Sequence, residues 1–380
     1  MDLELSEEQK LLQKSVREFA ESEVRPLAKE LDETGHFPRG LFKKAAEIGL
    51  TGVALPEAEG GAGFDHVAYS IVIEEISRCC ASTGVILSVQ NSLYCDPIHR
   101  YGTEEQKKKF LMPYARGEKI GCYALTEPQA GSNAAALQTK AVKKGATYVI
   151  NGTKAWITNG GVAHAAIVYV HTEPAKGEKG ITALVVEKGT PGFKVGKEEK
   201  KLGISATACS ELIFTDCEVP VTNRIGNEGE GYKVALSTLD GGRIGIAAQA
   251  TGIAQGAFEA ALKYSQERMA FGHAISQFQA IQFMLADMST EIDAARLLIR
   301  KAAWKQDTGA RFTMDAAIAK LFASEMSTRV THKAIQIHGG NGYSREYPVE
   351  RNYRDARITE IYEGTSEIQR LVISSWLLKS

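Results

Sequence analysis

The chain has 380 residues and a formal net charge of −1, because 45 Lys and Arg residues nearly balance 46 Asp and Glu residues. This balance argues against a nucleic-acid-binding protein, whose affinity depends on an excess of basic side chains that neutralise phosphates. Hydrophobic residues make up 44% and charged residues 24%, which is typical of folded proteins. At about 150 residues per domain, the length predicts two or three domains. Apolar runs are far shorter than the roughly 20 residues that cross a bilayer, so no membrane span is expected.

The termini and the cysteines indicate the compartment. The chain begins with acidic residues and lacks the basic and apolar profile of a secretory signal. Its six cysteines form no C-x-x-C pair and are too few for a disulfide framework. We therefore expect a cytoplasmic protein whose cysteines are mostly core residues. The eight histidines are scattered and no H-E-x-x-H helix is present, so no metal site is expected.

Helical signals dominate residues 1–118, the first predicted domain. Ser6 and Gln9 have capping-box spacing, in which each side chain satisfies a free backbone N–H of the first turn. Apolar residues then recur with a period near 3.6, which is typical of an amphipathic helix. A glycine-rich loop at residues 56–63 interrupts the helices before they resume.

Strand signals characterise residues 119–228, the second predicted domain. Asn151-Gly152 joins two β-prone runs and predicts a type I′ hairpin turn, which requires two positive φ angles. Further strand candidates are separated by turn residues. They lie at residues 165–171, 181–187, 193–195 and 211–214. The pattern predicts a β domain inserted between helical regions.

Helical periodicity returns in residues 229–380, the third predicted domain. Residues 243–261 are rich in glycine and alanine, whose small side chains would let neighbouring helices approach closely. Long periodic segments at residues 279–304 and 314–337 predict amphipathic bundle helices. The chain is therefore predicted to have α, then β, then α organisation.

Several common catalytic motifs are absent from the sequence. Neither the G-x-x-x-x-G-K-[ST] phosphate loop nor a strand, G-x-G-x-x-G and helix unit is present, which argues against NTP hydrolysis and a Rossmann fold. No G-x-S-x-G nucleophile elbow is present either. His338, beside two glycines, is interpreted as a capping or core histidine at a helix end.

Three polar segments are candidates for chemistry. Residues 123–133 concentrate hydroxyl and backbone N–H groups where helical character changes to β. Residues 156–161 combine a flat tryptophan face with a threonine hydroxyl. Residues 353–370 resemble a solvated charged helix, with glutamates at helical spacing. Gly-Thr-Ser after Glu363 predicts a break and a new cap, so that Glu363 would project from the break.

The sequence resembles the acyl-CoA dehydrogenase family along essentially its whole length, and most closely its short-chain, butyryl-CoA branch. The resemblance rests on long motifs in the family's order. These are Leu125-Thr-Glu-Pro-x-x-Gly-Ser, Asn151-Gly-Thr-Lys-Ala-Trp-Ile-Thr-Asn, Glu267-Arg-Met-Ala-Phe-Gly, Gln336-Ile-x-Gly-Gly and Arg354-Asp-Ala-Arg-Ile-Thr-Glu-Ile-Tyr-Glu-Gly-Thr-Ser-Glu. It implies an α+β multi-domain fold, with an N-terminal helical domain, a middle β-barrel-like or sandwich domain and a C-terminal four-helix bundle.

The resemblance also implies FAD bound without a Rossmann motif. Thr126 and Ser132 would hydrogen-bond the cofactor, while Trp156 and Thr158 would cover the flavin face, with Thr158 reaching N5, the hydride acceptor. Some of the cofactor contacts would come from a neighbouring subunit of a homotetramer, namely Arg268, Gln279 and residues 336–340. The implied cofactor-binding set is Tyr123, Leu125, Thr126, Ser132, Trp156, Ile157, Thr158, Arg268, Gln279, Gln336, Ile337, Gly339, Gly340, Thr365, Ser366 and Glu367.

The family's catalytic base matches Glu363. The implied reaction is α,β-dehydrogenation of a short-chain acyl-CoA to the trans-2-enoyl-CoA. Glu363 would remove the α proton, flavin N5 would accept the β hydride, and an electron-transferring flavoprotein would take the electrons. A dry pocket should raise the pKa of this carboxyl toward the working pH. The implied substrate-binding residues are Ser132, Asp240, Gly241, Gly242, Arg243, Tyr362 and Gly364.

The residues also bear on related activities. Some relatives carry the base at the position of Gly242, which cannot act, so Glu363 is the candidate here. Residues 84–92 are uncharged, which argues against a dicarboxylate substrate such as glutaryl-CoA. A branched or cyclic substrate such as cyclohexanecarboxyl-CoA stays open as an alternative. More distant alternatives are an acyl-CoA oxidase and a non-catalytic CoA-binding protein.

Overall fold

The computed structural model describes residues 4–378, so residues 1–3 and 379–380, at the ends of the first and third predicted domains, lie outside it. The helices are α1 (Glu7–Phe19), α2 (Ala28–Thr34), α3 (Arg39–Glu47), α4 (His66–Cys79), α5 (Ala81–Ser88), α6 (Asp96–Tyr101), α7 (Glu104–Gln106), α8 (Met112–Ala115), α9 (Gly231–Glu267), α10 (Gln279–Asp307), α11 (Thr313–His338), α12 (Val349–Ile358) and α13 (Ser366–Leu377). The strands are β1 (Gly121–Ala124), β2 (Lys140–Lys144), β3 (Thr147–Ile157), β4 (Ala165–His171), β5 (Ile181–Glu187), β6 (Phe193–Glu198), β7 (Ser210–Pro220), β8 (Arg224–Ile225), β9 (Met269–Ala270) and β10 (His273–Ala274). The predicted α, β, α order is confirmed.

The N-terminal helices start at the predicted cap. Ser6 Oγ accepts the backbone N–H of Gln9 at 3.1 Å, and Gln9 Oε1 accepts that of Ser6 at 3.1 Å, which confirms the capping box of α1. Helix α4 is almost entirely buried. Helix α5 continues through a π turn at Val89–Cys95 into α6. These buried segments form one wall of the region described below as the candidate site.

The middle of the chain forms a mixed sheet in the order β6-β7-β3-β2-β4-β5-β8, with β1 parallel to β4. Side chains of β4 alternate between two hydrophobic clusters, because successive residues of a strand point to opposite faces. Ile167 and Tyr169 join a cluster with the surrounding helices, whereas Val168 and Val170 join one built mainly by the sheet's own strands. The sheet therefore curls around its own core, as the barrel-like expectation requires.

The predicted hairpin turn at residues 151–152 is wrong. Strand β3 continues through both residues, with a shift of register against β7 at this point. A Cβ at Gly152 would lie 2.7 Å from the Cα of Thr139, so this glycine serves close packing. Asn151 Oδ1 accepts the backbone N–H of Asp216 at 2.8 Å. The turn between β2 and β3 lies instead at Gly145, whose φ is +59°.

Helix α9 is the longest helix and contacts all three parts of the chain. Its small residues allow close approach, as predicted. A Cβ at Gly252 or Gly256 would overlap the carbonyl oxygens of Glu74 and Arg78 on α4. Helices α10 and α11 pack on other faces of α9 through an apolar cluster that includes Ala250 and Met288. Helix α9 therefore fixes the relative positions of the elements that surround the candidate site.

Two further expectations concern the place of the cysteines and the absence of a membrane span. All six cysteines are free and buried, in agreement with their expected place in the core. Among residues 4–378, no helix combines the length and the apolar character that crossing a bilayer requires.

Candidate active site

The chain leaves the helical conformation between α12 and α13, as predicted from Gly-Thr-Ser. Glu363 has a φ of +52° and Gly364 a φ of +95°. Thr365 then caps α13, because its hydroxyl accepts the backbone N–H of Ile368 at 3.3 Å. A non-glycine residue in the left-handed region costs roughly 1–3 kcal/mol, so surrounding contacts must hold Glu363 in place.

Two buried side chains hold this break. Gln369 Nε2 donates to the carbonyl oxygens of Glu363 at 3.2 Å and Gly364 at 2.9 Å. Lys320 Nζ, on α11, donates to the Gly364 carbonyl oxygen at 2.7 Å. Within residues 4–378, the backbone N–H of Glu363 donates to no group. The break therefore satisfies its carbonyl oxygens and leaves one N–H donor available.

The Glu363 carboxylate lies against α9. Its Oε2 is buried and has no hydrogen-bond partner in the described part of the chain. A Cβ at Gly242 would overlap Oε2 and would lie 2.9 Å from Leu93 Cδ2, so only glycine leaves room for this carboxylate. Burial raises the pKa of Glu363 to about 7, and the nearby Lys320 and Arg243 cations oppose this rise. Glu363 can therefore exchange a proton near neutral pH.

Buried apolar side chains from two helical faces pack together beside Glu363. Gly242, Ile246 and Ile253 share one face of α9, since they are spaced by helical repeats. The opposite face comes from α5 and the π turn, and carries Ala81, Val85, Val89 and Leu93. These side chains form one buried cluster with the Tyr362 ring at its edge. An apolar surrounding of this kind suits a short apolar chain.

A buried glutamine links the two faces of this apolar cluster. Gln249 lies seven residues after Gly242, on the same face of α9, and is fully buried. Its Oε1 accepts the Tyr362 hydroxyl, and its Nε2 donates to the Ala81 carbonyl oxygen at 2.9 Å. The side chain therefore links both walls two helical turns from Glu363. The sequence analysis did not identify Gln249, because its partners are remote in sequence.

The residues predicted to contact the flavin face come together at the end of β3. Ala155 N donates to the Thr126 carbonyl oxygen at 2.9 Å and so joins the loop after β1 to β3. Trp156 has a φ of +61° and is 57% exposed, which presents a flat indole face outward. Ile157 is buried and Thr158 half-buried. Within residues 4–378, the hydroxyls of Thr126 and Thr158 make no hydrogen bond, so they are available to a planar ligand with polar edges.

A buried ion pair, which was not predicted from the sequence, lies next to the loop after β1. Lys154 Nζ is 2.8 Å from Glu127 Oε1 and donates to the Leu125 carbonyl oxygen at 3.1 Å. The Glu127 carboxylate also accepts the backbone N–H groups of Gln138 and Thr139 at 2.6 and 2.9 Å. Burial lowers the pKa of Lys154 to about 8, and Glu127 opposes this shift. The pair thus fixes the backbone of the loop that carries Leu125 and Thr126. Both residues lie inside recognised motifs, which was the available signal.

Tyr123 lies between the two groups of residues. Its ring centroid is 5.0 Å from that of Tyr169, and its hydroxyl donates to the Ala235 carbonyl oxygen at 3.4 Å. It also packs at the edge of the cluster that contains Tyr362. The loop after β1 and the Glu363 region therefore belong to one continuous site.

The predicted substrate-binding residues of α9 are anchored near Glu363. Arg243 Nη1 donates to Asp240 Oδ1 at 2.6 Å, and the Thr313 hydroxyl donates to Asp240 Oδ2 at 2.7 Å. Arg243 Nε is buried without a partner among residues 4–378. Gly241 faces the side chain of Gln306. One unused donor of a buried arginine thus points to a polar ligand here.

Other predicted cofactor residues lie elsewhere on the chain. Thr365, Ser366 and Glu367 form the start of α13 next to Glu363, and Ser132 is exposed in its loop. The other predicted cofactor residues lie far from Glu363. Arg268, for example, follows the end of α9, and this helix rises about 38 Å between Gly242 and that end. Exposed members of this set are Arg268, Gln279, Gln336, Gly339 and Gly340, whereas Ile337 is buried in the bundle core.

His338 is a core residue. Its ring stacks on Tyr264 at a centroid distance of 4.3 Å, and its Nδ1 lies 2.8 Å from the Ala334 carbonyl oxygen. The interpretation as a core histidine at a helix end is confirmed.

The three-part fold agrees with the comparisons to known families. Models of the acyl-CoA dehydrogenase N-terminal, middle and C-terminal domains match residues 6–118, 122–217 and 229–378. The chain belongs to the acyl-CoA dehydrogenase family.

Individual relatives match over their full length. The chain is 53% identical over 379 residues to the short-chain specific acyl-CoA dehydrogenase of Clostridium acetobutylicum, covering 100% of each. It is 47% identical to the solved butyryl-CoA dehydrogenase of Megasphaera elsdenii, with a TM-score of 0.98 and 100% of each chain covered. A chain solved in work on the electron transferring flavoprotein of Acidaminococcus fermentans is 49% identical, with a TM-score of 0.99 and the same coverage.

Replacing Lys154 by methionine should lower the free energy of unfolding by about 3–5 kcal/mol, because the Glu127 carboxylate would stay buried without its cation. Denaturant unfolding followed by circular dichroism measures this change. Lys143→Met is the matched control, since Lys143 lies on neighbouring β2 with a half-exposed side chain 3.5 Å from Glu228. Its substitution should change stability by no more than about 0.5 kcal/mol. Equal effects of the two substitutions would contradict the assigned role of the buried pair.

Proposed function

We propose that this chain catalyses the FAD-dependent α,β-dehydrogenation of a short-chain acyl-CoA of the butyryl-CoA type, with Glu363 as the base. One observation carries the proposal. The Glu363 carboxylate has a buried, unpartnered Oε2 beside a cluster of buried apolar side chains. A carboxylate so placed can accept a proton from an apolar substrate without competition from water.

The surrounding residues suit this proton transfer. Removal of the α proton places enolate-like charge on the thioester carbonyl oxygen, which a positioned donor must stabilise. The free backbone N–H of Glu363 is such a donor. Gly242 leaves room for the carboxylate, and the buried Leu93 packs next to the same position. The left-handed backbone at Glu363 thus orients donor and base together.

The residues at the end of β3 fit a flavin. Trp156 offers an exposed flat face, and the unbonded hydroxyls of Thr126 and Thr158 can meet polar ring edges. Leu125 supplies an apolar contact, and the start of α13 lies on the side of Glu363. FAD, when bound, accepts the β hydrogen of the substrate as hydride. The chain's own residues bind and orient the cofactor and move the α proton.

The short-chain assignment is supported by two relatives. The Clostridium relative is named as short-chain specific and the Megasphaera relative as a butyryl-CoA dehydrogenase. Within this chain, Gln249 links α9 to Ala81 and Tyr362, and so limits how far an acyl chain could extend along the helix.

Two partners are part of the proposal. The exposed Arg268, Gln279 and Gly339 lie too far along the helices to reach the same chain's flavin site, so a neighbouring copy in a homotetramer would use them. An electron-transferring flavoprotein would accept the electrons. The similarity to a chain solved in work on the Acidaminococcus electron transferring flavoprotein supports this choice.

An anaerobic titration of the purified protein tests the proposal. Butyryl-CoA should bleach the visible flavin band at near one equivalent, and cyclohexanecarboxyl-CoA should do so much less. Bleaching with the cyclic ester alone would support the proposed reaction but would show that the substrate is a cyclic acyl-CoA. A flavin that neither ester bleaches would contradict the proposal.

Replacing Glu363 by glutamine should lower the rate of flavin bleaching by roughly 100- to 10,000-fold, because the amide cannot accept the α proton. Flavin content and acyl-CoA binding should stay nearly unchanged. In the unsubstituted enzyme the rate should rise with pH through about 7, since burial raises the pKa of Glu363 to about 7 and only the ionised form is a base. Stopped-flow absorbance measures both. Wild-type rates in Glu363→Gln would show that another residue is the base.

Replacing Gln249 by alanine should lengthen the accepted acyl chain. The ratio of kcat/KM for hexanoyl-CoA over butyryl-CoA should rise about tenfold, because removal of the side chain frees volume beside the apolar cluster. Gln255→Ala is the matched control, since Gln255 lies on the same helix and bonds Glu259 and Arg296 instead. The control should leave the ratio unchanged. An unchanged ratio in Gln249→Ala would show that the acyl chain does not extend toward Gln249.

A further inference from the structure

Lys320 is a buried cation beside the proposed base. It lies on α11 among alanines and is fully buried, which is rare for lysine unless the charge has a partner. Its amino group donates to the Gly364 carbonyl oxygen at 2.7 Å. No carboxylate of residues 4–378 lies within 4 Å of this amino group. The sequence pattern alone gives this lysine no function.

The electrostatic partner of Lys320 is Glu363. Burial lowers the pKa of Lys320 to about 7, and the Glu363 carboxylate is the first charge that opposes this shift. Burial raises the pKa of Glu363 in turn, and Lys320 opposes that rise more strongly than Arg243 does. Each group therefore favours the charged form of the other in a region of low polarity.

Other titratable or charged groups face this pair from every element packed around it. They are Arg243 and Asp240 on α9, Glu325 on α11, Glu360 and Tyr362 before the break, Tyr69 on α4 and Tyr123 on β1. Among them only Arg243 is a cation, and Asp240 already binds it. Both Lys320 and Arg243 therefore act on Glu363, and of the two only Arg243 has a carboxylate of its own, Asp240, as an ion-pair partner.

We propose that Lys320 is a positioning residue for proton abstraction. Its ammonium group holds the Gly364 carbonyl, and with it the left-handed turn at Glu363, while its positive charge keeps the Glu363 carboxylate in the form that accepts a proton. The proposal rests on the proposed function of Glu363 as base. A role limited to holding the turn would change the rate equally at every pH, whereas a role for the charge changes the pH dependence.

The test measures anaerobic flavin bleaching by butyryl-CoA in the holoenzyme from about pH 5.5 to about pH 9. In Lys320→Met the midpoint of the rise in rate should move up by about one pH unit, because the carboxylate loses its nearest free cation. Lys320→Gln, which keeps a donor for the Gly364 carbonyl without the charge, should show the same shift. Lys320→Arg should restore the midpoint.

Lys333→Met is the matched control, since Lys333 lies on the same helix and pairs with Asp287 at 3.1 Å away from the site. It should leave the midpoint unchanged. A uniform loss of rate in Lys320→Met and Lys320→Gln with an unmoved midpoint would overturn the role of the charge. If butyryl-CoA fails to bleach the unsubstituted enzyme, the proposed function fails first.

A second measurement is independent of turnover. The unfolding equilibria of the unsubstituted protein, Lys320→Met, Glu363→Gln and the double variant form a double-mutant cycle. At about pH 7, Lys320→Met should reduce the folding equilibrium constant about tenfold more with Glu363 present than in the Glu363→Gln background. At about pH 5 this difference should vanish, because the carboxyl is then neutral. Additive effects at both pH values would overturn the proposal even if the enzyme is active.

Discussion

The positive φ of Glu363 places its carboxylate against α9 instead of on the solvent face of a continuous helix. This conformation is unfavourable alone, and it is held by Gln369 from α13 and Lys320 from α11. The turn also leaves the Glu363 backbone N–H unbonded next to the carboxylate. The base and the hydrogen-bond donor therefore both depend on the backbone conformation of a single residue. The missing side chain at Gly242 leaves room for the carboxylate.

Features that are decided by residues close together in the sequence could be predicted. The capping box of α1 and the break at Glu363 were found, because side chains three or four residues apart decide them. The Asn151-Gly152 dipeptide misled for a related reason. This dipeptide is typical of turns with positive φ angles. Here, however, glycine is required because Thr139 approaches it closely across the sheet, and no local sequence pattern reveals that contact. The α, β, α order followed from the change of hydrophobic period.

Contacts between distant segments were not predictable from the residues alone. Gln249 with Ala81, Lys154 with Glu127 and Lys320 with Gly364 each join parts of the chain that only the fold brings together. Within one sequence, a lysine among alanines looks like a solvated position. The predicted domain limits after residues 118 and 228 stay predictions, since two hydrophobic clusters extend across them.

Helix α9 carries glycines in its interior, and each weakens an isolated helix by about 1 kcal/mol relative to alanine. Gly242, Gly245, Gly252 and Gly256 are nevertheless needed, because α4 and the Glu363 turn occupy the space of their missing side chains. The helix thus gains its stability from neighbours that come from other parts of the chain. Elements from the first and last thirds of the polypeptide thus pack on the same helix, and the loss of either one would leave part of α9 without the contacts that stabilise it.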